Sequence, residues 1–349
     1  MRTLVKSPAV QGPGRARRGR TRALWLLAAL AVLLLALVAS MAIGSRAIAP
    51  ADVLGALLGT NPDPVEATVV LDGRLPRTAI ALAAGAALGV AGALIQALTR
   101  NPLADPGILG VNAGAAFAVA IAVGVLGVTS VWGYLWFAFG GAFAAAVLVY
   151  AVGSSLRTGA RPVTLTLAGV ALGAVLSGIT SAMVLADPAS FQAMRAWESG
   201  SLAGRDATAL TALAPFLVAA LVLALALAPS LNAVALGEDL ARALGARLPL
   251  VRVLSVLVIT VLAGGATAIA GPIAFIGLMV PHVARWIAGP DQRWIMAYTM
   301  VLAPILLLSA DVVGRVVLLP GELPAGIVTA VLGAPVLIAL VRRRGVSGL

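Results

Sequence analysis

Charged residues are missing from eight long stretches of this chain: 23–45, 78–99, 106–156, 162–186, 207–237, 253–284, 294–310 and 323–341. A helix needs about 20 apolar residues to cross the hydrocarbon core of a bilayer, and there every backbone N–H and C=O must be satisfied within the segment. A chain that repeats such stretches folds as a helix bundle in a membrane. The run 106–156 is long enough for two helices, broken near Gly127 to Gly133, and 253–284 divides into two short helices at Gly264-Gly265 and Gly271-Pro272. The expectation is an all-α membrane protein of about ten transmembrane helices. Composition agrees, since 61% of the 349 residues are hydrophobic, only 11% are charged, and 38 glycines with 5% aromatics suit helices packed through small residues.

The net charge of +11 reads as topology rather than as affinity for nucleic acid. Alternating the segments from a cytoplasmic N-terminus puts eighteen basic residues inside and only Arg46, Arg74, Arg77, Arg195, Arg205 and Arg315 outside. That asymmetry satisfies the positive-inside rule with both termini cytoplasmic. Residues 1–22 read as a basic, disordered tail, 23–342 as a single transmembrane domain, and 343–349 as a second cytoplasmic tail. Val38-Ala39-Ser40 has the look of a cleavage site, but the apolar run before it is too long for a signal peptide, so the first helix is read as uncleaved. Trp132, Tyr134 and Trp136, and at the other side Trp286 and Trp294, are placed as interfacial anchors. No internal repeat rises above the background of an Ala- and Gly-rich chain.

Several kinds of chemistry are excluded by residue type. There is no cysteine, one histidine and one lysine, Lys6. Disulfides, thiol nucleophiles and metal centres therefore lack ligands, and no phosphate-binding loop with its lysine can form. No catalytic, metal or cofactor site is expected; any ATP must be bound, with Mg, by another chain. The spans also carry no ionisable residue at mid-length, which disfavours an ion-coupled secondary transporter, the opposing reading from another class.

Four segments carry more information. Arg74-Leu-Pro-Arg77 opens the second helix on the outer face, and Asp72 could neutralise Arg74 locally. That helix continues through Gly85, Gly89 and Gly92 to the turn Asn101-Pro-Leu-Ala-Asp-Pro-Gly107, where two prolines stop it near the inner face. Leu236 to Gly245 reads as a short amphipathic inner helix between two glycines, with Leu240 and Leu244 on one face. The third segment is Gly271-Pro-Ile-Ala-Phe-Ile-Gly-Leu-Met-Val-Pro-His-Val-Ala-Arg285, whose lone His282 is read as packing. Asp311-Val-Val-Gly-Arg315 with Glu322-Leu-Pro-Ala-Gly and its continuation to Pro335 is the fourth; there Asp311 could pair with Arg315 on one helical face.

In order and spacing these segments resemble the FecCD-type permeases, the membrane subunits of ABC importers for ferric siderophores, haem and vitamin B12. The resemblance spans about residues 23–342. It implies a type II importer permease in the bacterial cytoplasmic membrane, dimeric with an identical or a second permease. Two cytoplasmic ATPase subunits and an extracytoplasmic substrate-binding protein complete the assembly it implies. Ferric siderophore is the implied cargo, with vitamin B12 or haem as alternatives. By matching position, Arg74, Arg77 and Arg315 would dock the binding protein. Leu236, Gly237, Glu238, Asp239, Leu240, Arg242, Leu244 and Gly245 would couple to the ATPase, and Asn101 and Leu103 would narrow the cytoplasmic gate. Pro162 and Val163 stand where the vitamin B12 importer has a pair of small hydroxyl residues, a departure at the inner gate. Trp197 to Leu202 matches a family motif at the outer end of the fifth helix, read either as vestibule or as helix cap.

Overall fold

A computed structural model describes residues 15–60, 63–128, 130–155, 162–186, 194–195, 197–205 and 207–343. Regular structure among them is helical throughout. In chain order the helices are α1 (Arg15–Ala42), α2 (Pro50–Leu57), α3 (Pro64–Thr68), α4 (Leu75–Thr99), α5 (Val111–Gly124), α6 (Val131–Ser155) and α7 (Pro162–Ala186). They continue as α8 (Ala207–Ala235), α9 (Glu238–Ala243), α10 (Leu248–Ala270), α11 (Ile276–Ala288), α12 (Gln292–Val317) and α13 (Ala325–Arg343). Among the described residues, seven helical segments are long and apolar enough to cross a membrane, and α5, α11 and the α13 segment Ala325–Ala339 are shorter apolar helices.

Helix α4 is the axis of the bundle. It is the most buried of the long segments and packs against α8, α10, α11 and α12. Its glycines explain how. A Cβ at Gly85 would stand 2.7 Å from the Pro304 Cα of α12, and one at Gly92 would overlap the Gly277 carbonyl of α11. Helix backbones can approach this closely only where side chains are missing, which is how lipid-embedded helices gain dispersion contacts without a hydrophobic drive between them. Helices α5, α6 and α7 form a second group, joined to the first through α10.

Two sequence expectations need correction. Gly264-Gly265 does not interrupt α10, which runs unbroken from Leu248 to Ala270. Instead the pair makes room for neighbours: a Cβ at Gly264 would sit 2.9 Å from the Ala142 Cβ, and one at Gly265 2.8 Å from the Leu217 Cδ2. The break falls only at Gly271, whose φ of +79° ends the helix before Pro272. The other correction concerns α1, which begins at Arg15, ahead of the hydropathy boundary at position 23. The remainder of the expected tails, 1–14 and 344–349, lies outside the described residues.

The ends of the helices segregate into two polar groups. One gathers Met41, Arg74, Arg77, Asp311, Arg315 and Glu322, and the other gathers Gln96, Glu238, Arg252 and Arg285. At this second end Asn232 of α8 clamps the start of α12: its Nδ2 donates to Asp291 Oδ1 at 2.9 Å, and the Gln292 N–H donates to its Oδ1 at 2.8 Å. Asp291 also caps α12 by accepting from the Arg293 N–H at 3.1 Å.

Candidate functional site

At the first end a buried carboxylate joins two arginines, and a third lies beside them on the end of α1. Asp311 is fully buried and receives Arg77 in a forked arrangement, with Nε 3.0 Å from both oxygens and Nη2 2.8 Å from Oδ1. On its other oxygen it receives Arg315, whose Nε lies at 3.0 Å and whose Nη2 also donates to it. Arg315 then reaches the last turn of α1, donating to Ser40 O at 2.6 Å and Ile43 O at 3.1 Å. Arg74 does the same from the other side, donating to Met41 O at 2.7 Å, Ala42 O at 2.8 Å and Arg46 O. A helix leaves its last four carbonyls without intrahelical partners, and cations are favoured at that negative end of the macrodipole. Arg74 and Arg315 thus satisfy orphan carbonyls of α1.

This arrangement sorts the three arginines. Arg74 and Arg315 retain only 6% and 2% of their accessible surface, so neither offers its guanidinium to a partner without surrendering several internal hydrogen bonds. The local pair expected between Asp311 and Arg315 is formed. Arg74 instead bonds backbone carbonyls rather than Asp72. Arg77 stands nearest the surface and also donates through Nη1 to Glu322 Oε2 at 2.7 Å, a carboxylate with 36% of its side chain exposed. The rim therefore presents an ion pair backed by a buried, fully committed network. Trp197 and Leu202 are buried beside this end, and the Gly326 N–H donates to Gly200 O at 3.2 Å, tying the motif to the start of α13.

At the second end the turn after α4 is built by its own side chains. Arg100 closes the helix in a left-handed conformation with φ +50°. Asn101 Oδ1 accepts from the Leu103 N–H at 2.9 Å, and Asp105 Oδ1 accepts from the Gly107 N–H at 2.8 Å. Burial raises the pKa of Asp105, and the Gly107 N–H partly offsets this. Leu103 is exposed at the turn.

A residue the sequence reading passed over ties this turn to α11. Gln96 is fully buried, and its Nε2 lies 3.3 Å from Ala104 O, 3.2 Å from Gly277 O and 3.1 Å from Leu278 O. Its Oε1 accepts from Arg285 Nη2 at 2.6 Å, and the same nitrogen lies 3.2 Å from His282 Nδ1. The signal available was a lone amide in an otherwise uncharged, Ala-rich helix, because a buried polar side chain in lipid has to find partners on neighbouring helices. His282 is buried in that cluster, and among the described residues no group of three or more His, Asp or Glu side chains could hold a metal ion.

The segment Leu236 to Gly245 forms α9 between Gly237 (φ +112°) and Gly245 (φ +84°). Arg242 pairs along the helix with Asp239 at 3.0 Å and Glu238 at 3.3 Å. Glu238 also reaches α10 through Arg252 at 2.5 Å. Ala241 anchors the helix to the bundle, while Leu236, Leu240 and Leu244 remain 62%, 48% and 62% exposed. Leu240 and Leu244, four apart, share one apolar face of this charged helix, while Leu236 lies just ahead of it across the turn at Gly237.

A bundle of helices long and apolar enough to span a bilayer, with polar clusters at its two ends and a small amphipathic helix exposing leucines at one of them, is the framework of a multi-pass membrane protein. The chain matches the FecCD transport family over residues 32–343 and belongs to it. It is a multi-pass protein of the cytoplasmic membrane. It is 49% identical over 329 residues to the ferric enterobactin transport system permease protein FepD of Escherichia coli (strain K12), covering 94% of this chain and 98% of that protein. A probable siderophore transport system permease protein of Bacillus subtilis (strain 168), YfiZ, is 42% identical, covering 82% and 84% of the two chains. Among solved structures, an inward-facing metal-chelate type ABC transporter superposes with a TM-score of 0.80 at 28% identity, covering 91% of this chain and 99% of that one.

Proposed function

We propose that this chain is the transmembrane subunit of an ABC importer that moves a ferric siderophore across the cytoplasmic membrane by alternating access. The observation that carries this reading is the match along nearly the full length of a ferric enterobactin permease. In it, seven long and three shorter apolar helices make ten crossings with both termini cytoplasmic, so the Arg77 end faces outward and the α9 end inward. The pathway is completed by a second permease, identical or homologous. ATP and Mg are bound by two cytoplasmic ATPase subunits, and cargo arrives on an extracytoplasmic binding protein.

Within this reading the named residues take distinct roles. Arg77, with Glu322, forms the rim contact for the binding protein, while Arg74 and Arg315 act through it by fixing α1 and Asp311. Leu236, Leu240 and Leu244 of the coupling segment seat in the ATPase, with Glu238, Asp239 and Arg242 as polar contacts, and Gly237 and Gly245 supply the left-handed turns at either side. Asn101 and Leu103 narrow the inner gate, held by Gln96. Charge complementarity at such a rim sets docking rate and register. The test is Arg77→Gln in the assembled transporter, which removes the rim charge while leaving an amide that can still donate to Asp311: the account expects the permease to insert with binding-protein affinity reduced at least tenfold. Unchanged affinity would remove Arg77 from the docking surface.

A further inference from the structure

Beside α9 the bundle encloses a cavity of about 250 Å³ that the transport reading leaves without a role. Its polar wall is Arg100, Glu238 and Arg252, and its apolar wall includes Tyr150, Leu165 and Val256. Arg252 is 35% exposed and already holds Glu238 at 2.5 Å. Arg100 is exposed at the end of α4 and has no carboxylate within ion-pair distance among the described residues. One carboxylate for two guanidinium groups leaves the pocket with an excess positive charge.

The pocket does not end at its charged mouth. A second cavity of about 200 Å³ lies between α6 and α10 and shares Tyr150 and Val256 with the first. Its walls are apolar: Phe143 and Val147 line up with Tyr150 on α6, and Val253, Val256 and Leu257 face them from α10. From Tyr150 to Phe143 is seven residues, so at 1.5 Å per residue the groove climbs about 10 Å along α6 from the charged end. A cationic mouth continuous with an apolar groove of this depth complements a molecule with an anionic head and a hydrocarbon tail. Basic pockets between transmembrane helices on the cytoplasmic side have this chemistry for acidic headgroups. A free phosphate ion would use the mouth and leave the groove empty.

We propose that this composite pocket binds one anionic phospholipid, its phosphate between Arg100 and Arg252 and one acyl chain in the groove between α6 and α10. The bound phosphate competes with Glu238 for Arg252, which places the lipid next to the tie between α9 and α10. The inference depends on the chain lying in a membrane and not on the identity of the transported cargo, so a different cargo would leave it standing.

The experiment uses the assembled transporter with its ATPase subunits, equilibrated with equal amounts of phosphatidylglycerol and phosphatidylcholine and examined by native mass spectrometry. The expected result is retention of phosphatidylglycerol over phosphatidylcholine by at least fivefold. The Arg100→Gln, Arg252→Gln double variant should fall to parity, while Arg100→Lys, Arg252→Lys keeps a preference. Ala151→Phe, which fills the groove from α6 and leaves both arginines in place, should reduce retention several-fold. Inorganic phosphate should not displace the lipid from the wild-type complex. Equal retention of the two lipids by the full complex would overturn the proposal, and so would a double variant indistinguishable from wild type. Displacement by inorganic phosphate would also overturn it, leaving an anion site without a lipid. If the arginine variants fail to assemble, the Ala151→Phe and phosphate measurements decide the matter.

Discussion

Replacing Asp311 with alanine removes the acceptor that Arg77 and Arg315 share. Breaking a buried ion pair from one side costs about 3–5 kcal/mol, because the remaining charge stays in a poorly solvating site. Here the low end applies. Arg77 keeps Glu322 at 2.7 Å, and Arg315 keeps Ser40 O at 2.6 Å and Ile43 O at 3.1 Å, so neither guanidinium is stranded. A loss of about 3 kcal/mol lowers the unfolding midpoint of a chain this long by on the order of 4 °C. The measurement is the apparent Tm in nanodiscs, followed by tryptophan fluorescence. Asp311→Asn keeps the volume and one acceptor and should fall between alanine and wild type. An Asp311→Ala protein within about 1 °C of wild type would refute the reasoning, since a shift that small corresponds to about 0.7 kcal/mol.

Two further outcomes follow from local geometry. Gly92→Val should prevent assembly of the bundle, because its side chain would occupy the Gly277 carbonyl, whereas Gly178→Ala, with nothing within 4 Å of the added Cβ, should leave expression and Tm unchanged. Asp105 holds its proton more tightly in the folded protein than at its ordinary pKa of 3.8, so its ionisation erodes stability as pH rises from that value through the raised one. Asp105→Asn keeps the acceptor for the Gly107 N–H and drops the buried charge; its Tm relative to wild type should therefore be more favourable at pH 7 than at pH 4.

How much of this was legible in the sequence depended on whether the signal was one-dimensional. Within the single uncharged run 106–156, the break from Gly127 to Gly133 separated α5 from α6 because the break and the helices are local features. The amphipathic α9 between Gly237 and Gly245 was readable for the same reason. Gly264-Gly265 was misread as a break because a glycine pair carries no label telling helix interruption from close packing, and only the presence of Ala142 and Leu217 decides it. Asp311 with Arg315 could be paired at helical spacing, but the capping of α1 by Arg74 joins residues more than thirty positions apart and left no local trace. Gln96 was overlooked because the partners that give it meaning, Gly277, Leu278 and Arg285, lie on another helix. The site chemistry was visible residue by residue, while its division into rim contact and buried support required three dimensions.

The most direct test of the central claim is uptake of a radiolabelled ferric siderophore into proteoliposomes holding this chain with its partner permease and ATPase subunits. The account predicts uptake that requires both ATP on the ATPase side and the loaded binding protein, and that is lost in Leu240→Asp while the permease still inserts. Uptake driven by an ion gradient without the ATPase, or untouched by Leu240→Asp, would contradict it.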